Sequence, residues 1–147
     1  MTYEVHELSS IFQKPIQTHL WVAQKVLDEF LEFNEALGAN KKAKNDERAL
    51  VLKKLEYYCR AGFANFEGDK GQPIRHEWDG VFRIGHQNSL YRIYGFYEDE
   101  TKKVFIAIDA LTKKKANLSG PERARIDAVA LVKKECDWKK AYKNEQA

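Results

Sequence analysis

Asp79–Leu111 reads DGVFRIGHQNSLYRIYGFYEDETKKVFIAIDAL, and this stretch decides the fold. Three runs rich in β-branched and aromatic residues, Val81–His86, Leu90–Tyr97 and Lys103–Leu111, are separated by Gln87-Asn88-Ser89 and Glu98-Asp99-Glu100-Thr101. Such runs are strand formers, and connections this short force antiparallel neighbours, so the stretch predicts a three-stranded meander. Period two then sorts the side chains. On the middle strand Arg92, Tyr94 and Phe96 share one face and Tyr91, Ile93 and Tyr97 the other; on the last, Val104, Ile106 and Ile108 oppose Phe105, Ala107 and Asp109. The expectation is that helices cover the Tyr91/Ile93 face, and that the Arg92/Tyr94 face is open or lines a groove.

Working outward, Lys113, Lys114 and Lys115 follow the last strand, and Gly120-Pro121 opens a helix carrying Ile126, Val129, Leu131, Val132 and Cys136. Proline suits a first helical turn because the N–H it lacks would be unpaired there. Upstream, Thr2–Leu8 reads as a short first strand. Pro15 then starts an amphipathic helix from Ile16 to about Leu37, with Leu20, Ala23, Leu27, Phe30, Leu31 and Asn34 at three- and four-residue steps. Ala39–Lys44 reads as a solvated loop. Asn45 caps a second helix that runs to Gly62, and Phe63–Pro73 reads as a loop. The order β-α-α-β-β-β-α defines an α+β fold: a small antiparallel meander with helices packed on one face. The 147 residues are read as a single domain with a helical hairpin at about 16–62 and a C-terminal helix at about 121–143.

Composition, at 44% hydrophobic and 32% charged, fits a folded protein rather than a disordered one. No apolar run reaches the roughly 20 residues of a membrane span, and MTYEVHELSS has neither the basic start nor the apolar block of a secretory signal, so no membrane association and a cytoplasmic location are expected. Cys59 and Cys136 stand in no metal-ligand spacing and are expected to be free. The four histidines offer no zinc spacing with them, and there is no P-loop, dinucleotide fingerprint or nucleophile elbow. Any catalysis is therefore expected to proceed without metal or cofactor. Charge is asymmetric. Residues 1–73 hold 10 Lys and Arg against 11 Asp and Glu, and residues 74–147 hold 15 against 11, so the basic excess lies in the half that carries the strands.

Several side chains there have chemistry to offer. Arg92, mid-strand, is either a two-pronged phosphate clamp or a surface arginine lying on Tyr94. Lys113, Lys114 and Lys115, at a strand end, suit phosphate binding or charge stabilisation, although lysine runs are often only solvated. Arg83 and His86 belong to the first meander strand and its turn. His86 is a proton shuttle or a solvated turn residue. Tyr94 is a base-stacking ring or a half-buried strand tyrosine. Asp109 is expected to pair with a lysine, and Glu122, Arg123 and Arg125 to cover solvent.

GVFRI, LYRIYGFYE and KKVFIAIDALTKKKANLSGPERARIDAVALVKKE together resemble the RelE/HigB toxin superfamily, in particular its phage-derived HigB-like branch. The likeness covers about residues 74–135 and is carried by Tyr91-Arg92 and Lys113-Lys114. It implies a RelE-like sheet with helices on one face. It also implies the toxin of a toxin–antitoxin pair, a ribosome-dependent mRNA endoribonuclease (mRNA interferase) that works without a metal, with mRNA, the ribosome and a cognate antitoxin as partners. By that resemblance Arg92 holds the scissile phosphate while Lys113 and Lys114 assist proton transfer or stabilise charge, and Arg83, His86, Tyr94 and Lys115 contact RNA. Where the family strand often ends ELR or RLR, this chain reads Phe82-Arg83-Ile84-Gly85, with glycine at a commonly basic position and Arg83 sharing its face. The alternatives are a non-catalytic RNA- or ribosome-binding module and a protein-interaction domain on the same scaffold.

Overall fold

A computed structural model describes residues 4–36, 47–68, 71–113 and 120–135. Its elements are β1 (His6–Glu7), β2 (His19–Val22), α1 (Gln24–Ala36), α2 (Glu47–Ala61), β3 (Ile74–His76), β4 (Phe82–His86), β5 (Ser89–Tyr97), β6 (Val104–Thr112) and α3 (Gly120–Glu135), with short 3-10 turns at Ser9–Ile11 and Phe63–Phe66. The fold is α+β, as expected, and the meander β4-β5-β6 is antiparallel throughout. The six strands lie in the order β1-β2-β6-β5-β4-β3, with β2 parallel to β6.

Two strands were not anticipated. The helix expected from Ile16 begins only at Gln24, and the chain before it runs as β2. Leu20, Trp21 and Val22 are all buried, as they must be in a strand covered on both faces. Helical spacing at Leu20, Ala23 and Leu27 was a coincidence of that burial. The Lys14–Pro15 bond is cis, and the amides of Gln17 and Thr18 donate to the Cys59 carbonyl, which ties the approach to β2 onto α2. Ile74–His76, immediately after the expected loop, pairs with β4 as an edge strand. The expected first strand shrinks to His6–Glu7.

The expectation that all helices share one face is corrected. Val26, Phe30 and Phe33 of α1 and Val51, Leu52, Leu55, Tyr58 and Cys59 of α2 pack on the face of Tyr91, Ile93, Phe105 and Ala107. Helix α3 covers the opposite face, where Ile126, Val129 and Val132 meet Tyr94, Phe96, Ile106 and Ile108. The Arg92/Tyr94 face is therefore closed rather than open, with Tyr94 0% exposed. Cys59 is a free, buried cysteine, while Cys136 lies outside the described residues.

Register positions the polar groups. Ile74, Ile84, Ile93 and Ala110 stand abreast on the α1/α2 face, and Arg75, Arg83, Tyr94 and Asp109 stand abreast beneath α3. A bulge in β6, where Tyr94 pairs with Asp109 but Gly95 with Ala107, inserts Ile108 as the extra residue. Strict alternation had put Asp109 with Phe105; the bulge moves it to the face of Tyr94.

Candidate anion-binding site

Beneath the N-terminal turn of α3, the sheet gathers Arg75 from β3, Arg83 from β4, Tyr94 and Arg92 from β5, and Lys113 just past β6. The Lys113 amide donates to the Leu90 carbonyl at 2.8 Å, which continues the β5–β6 ladder and turns the lysine onto this face. Two carboxylates enter the cluster. Glu77, after β3, lies 3.5 Å from Arg83 Nε, and Glu122, from α3, accepts from the Tyr94 hydroxyl and lies 3.4 Å from Lys113 Nζ. Glu122 was expected to cover solvent. It is instead 1% exposed, because residues 122, 126, 129 and 130 form one buried helical stripe.

Arg92 is the central group. It is 8% exposed, and its Nη1 donates to the Ser89 carbonyl and, at 2.9 Å, to the Tyr91 carbonyl. Among the described residues its Nε is buried with no hydrogen-bond partner. A guanidinium held by Nη1 is fixed in orientation, as two-pronged recognition of an oxyanion requires. Gly85 explains how the side chain fits: a Cβ there would stand 2.9 Å from Arg92 Cδ and 3.1 Å from Nε. Glycine at this position thus makes the seat of Arg92, and the arginine itself supplies the positive charge at this end of the sheet.

Among the described residues the cluster sets four cations (Arg75, Arg83, Arg92, Lys113) against two carboxylates (Glu77, Glu122), an excess of two positive charges. Burial, with Arg92 and Arg75 adding repulsion, pushes the Arg83 guanidinium down to about 10. Desolvation also lowers Arg92. Tyr94 moves the other way, raised by burial and then by its bond to Glu122, and stays a neutral phenol. Under-compensated cations in a site of reduced solvation attract an anion more strongly than the same charges in water.

His86 is set apart by parity and faces α2 rather than α3. Its Nδ1 accepts the Asn88 amide at 3.0 Å, so the neutral ring carries its proton on Nε2. Burial, Lys54 and Arg92 all lower its pKa, so at neutral pH the ring is a neutral Nε2–H donor. Asp109 pairs with Lys25 at 2.7 Å and with Arg125 at 3.2 Å; the expected lysine partner is there, and it comes from α1. Lys114 and Lys115 lie outside the described residues.

Of the residues singled out in the sequence, Arg92, Arg83, Tyr94 and Lys113 are brought together, and His86 is a neighbour on the other face. Sequence reasoning missed Arg75, Glu77, Glu122 and the role of Gly85. The one available signal was the position of Glu122, four residues before Ile126 and in phase with the apolar stripe. No family model, no curated protein and no solved structure matches this chain. No helix among the described residues is long and apolar enough to cross a membrane.

Proposed function

We propose that this chain is an RNA-directed protein of the RelE/HigB type, the toxin of a toxin–antitoxin pair that cleaves mRNA on the ribosome. The observation that carries the reading is Arg92: nine-tenths buried, seated by Gly85, one nitrogen fixed by two carbonyls, and set among an excess of positive charge from the described residues. A phosphodiester supplies negative charge to balance this excess. In the reaction the RNA 2′-oxygen attacks the neighbouring phosphorus, the P–O5′ bond breaks, the 2′-hydroxyl gives up its proton and the departing 5′-oxygen gains one. Arg92 and Arg83 hold the non-bridging oxygens, where negative charge builds up, and Lys113 adds to that field.

One observation favours a second reading, RNA or ribosome binding without cleavage. With Nδ1 engaged by Asn88, His86 offers a donor at Nε2 and no free lone pair to take up a proton, so it suits holding a phosphate rather than acting as a base. Induced expression in growing bacteria separates the two. Growth arrest with fragmented mRNA, both abolished by Arg92→Gln in a variant that still folds, is the expected result for the toxin. Normal growth with intact mRNA, from a folded wild type that binds RNA in vitro, selects the binding module. Absence of both cleavage and RNA binding defeats both readings.

A further inference from the structure

A cleft lies between α2, the Phe63–Phe66 turn and the β4–β5 turn, lined by Lys54, Tyr57, Tyr58, Phe66, His86 and Gln87. Its walls are rings: the centroids of Tyr57 and Phe66 are 5.2 Å apart and those of Tyr58 and Phe66 4.8 Å. Tyr57 is 57% exposed although it belongs to this cluster, and Lys54 Nζ stands 5.7 Å from its ring centroid. Tyr57 thus presents a flat aromatic face to solvent at the edge of a ring cluster. Lys54, Gln87 and His86, whose Nε2 carries the proton, line the same cleft. An apolar face with a few convergent donors at its rim matches a flat heterocycle carrying ring acceptors and attached to a phosphate.

We infer that this cleft is a nucleobase-binding subsite, in which a base of single-stranded RNA stacks on Tyr57 while Lys54, Gln87 and His86 meet its polar edge or adjoining phosphate. The inference rests on the RNA reading and extends it around the end of the sheet. Arg92 is anchored on Ser89 and Tyr91, just past the β4–β5 turn, and His86 and Gln87 form the near side of that turn. A strand of RNA crossing the turn meets a phosphate clamp on one face and a stacking ring on the other. Sequence preference would then be read at the cleft, because a guanidinium on a phosphate carries no base information.

The test is titration of two labelled 12-mers at fixed salt: 2′-O-methyl-uridylate, which lacks the attacking hydroxyl, and an abasic oligomer of equal length and charge. Tyr57→Ala, at an exposed position, is expected to weaken the uridylate about ten-fold and leave the abasic oligomer unchanged. Tyr57→Leu, which keeps apolar area without the ring, should behave like the alanine variant. Arg92→Lys should weaken both oligomers. Equal weakening of the two by Tyr57→Ala, or no weakening of the uridylate, overturns the subsite while leaving the phosphate clamp standing. Failure of the wild type to bind either oligomer, alone and with ribosomes present, overturns the RNA reading and the subsite with it.

Discussion

At the scale of single residues, the cluster under α3 depends on one absent side chain and one buried carboxylate. Gly85→Ala would place a methyl 2.9 Å from Arg92 Cδ and 3.1 Å from Nη1, so the side chain must shift and strain its bonds to the carbonyls. Overpacking of this kind costs about 1–3 kcal/mol, to be read from urea unfolding. RNA affinity should fall more steeply than that stability loss explains, and unchanged affinity with a stable protein would remove Arg92 from the binding site. Glu122 tests the opposite sign. Glu122→Gln keeps a partner for the Tyr94 hydroxyl but leaves Lys113 without the carboxylate 3.4 Å away. Breaking a buried ion pair from one side typically costs about 3–5 kcal/mol, so the variant should melt well below wild type. A melting temperature equal to wild type would show that this pair contributes nothing to the fold.

At the scale of elements, β5 and β6 approach so closely beside the bulge that one position admits no side chain. A Cβ on Gly95 would stand 2.1 Å from the Ile106 carbonyl and 2.7 Å from the Phe105 ring, and neither backbone nor a fully buried ring can move aside. Gly95→Ala should therefore destabilise by more than 3 kcal/mol, about the upper end of overpacking effects, and yield little folded protein by circular dichroism. A well-folded alanine variant would refute this strand registry. The same bulge turns Asp109 toward α3, where Arg125 and Lys25 both reach it, so a single carboxylate joins the two helical layers at the sheet's end. Trp78 Nε1 adds a second tether, donating to Asp127 of α3 at 2.8 Å.

At the scale of the whole molecule, burial of phenols sets the response to alkali. Tyr58 is raised to about 12, and Tyr91, Tyr94 and Tyr97 are raised as well, each chiefly by desolvation. Above pH about 10 the unfolded chain loses these protons while the folded one keeps them, so the unfolded state binds fewer protons and stability falls as pH rises. Each tyrosine contributes a slope of up to about 1.4 kcal/mol per pH unit. The depressed Arg83 works in the opposite direction between about 10 and its ordinary value, since there the unfolded state holds the proton that the folded state releases. Four phenols outweigh the two lowered guanidinium groups, Arg83 and Arg92, so urea midpoints should decline from pH 10 upward, and Tyr94→Phe should make that decline shallower. A midpoint that stays level to pH 11.5 would contradict the burial of these rings.

The meander was legible because its signals are local. Alternation, aromatic and β-branched content and two short turns specify β4-β5-β6 within 31 residues, 82–112, with no help from distant contacts. The proline-led helix and the grouping of Arg92 and Tyr94 on one face followed from the same kind of local signal. What sequence could not determine was set by pairing across long separations. Whether Leu20-Trp21-Val22 is strand or helix depends on β6, some 85 residues away, offering a free edge. Which face Asp109 takes depends on a bulge that neither strand announces. And Arg92 is enclosed rather than open because α3 crosses the second face of the sheet, carrying Glu122 in with its apolar stripe. Side-chain period comes from the backbone alone, but burial, and with it the charge balance around Arg92, exists only once separate segments have closed on one another.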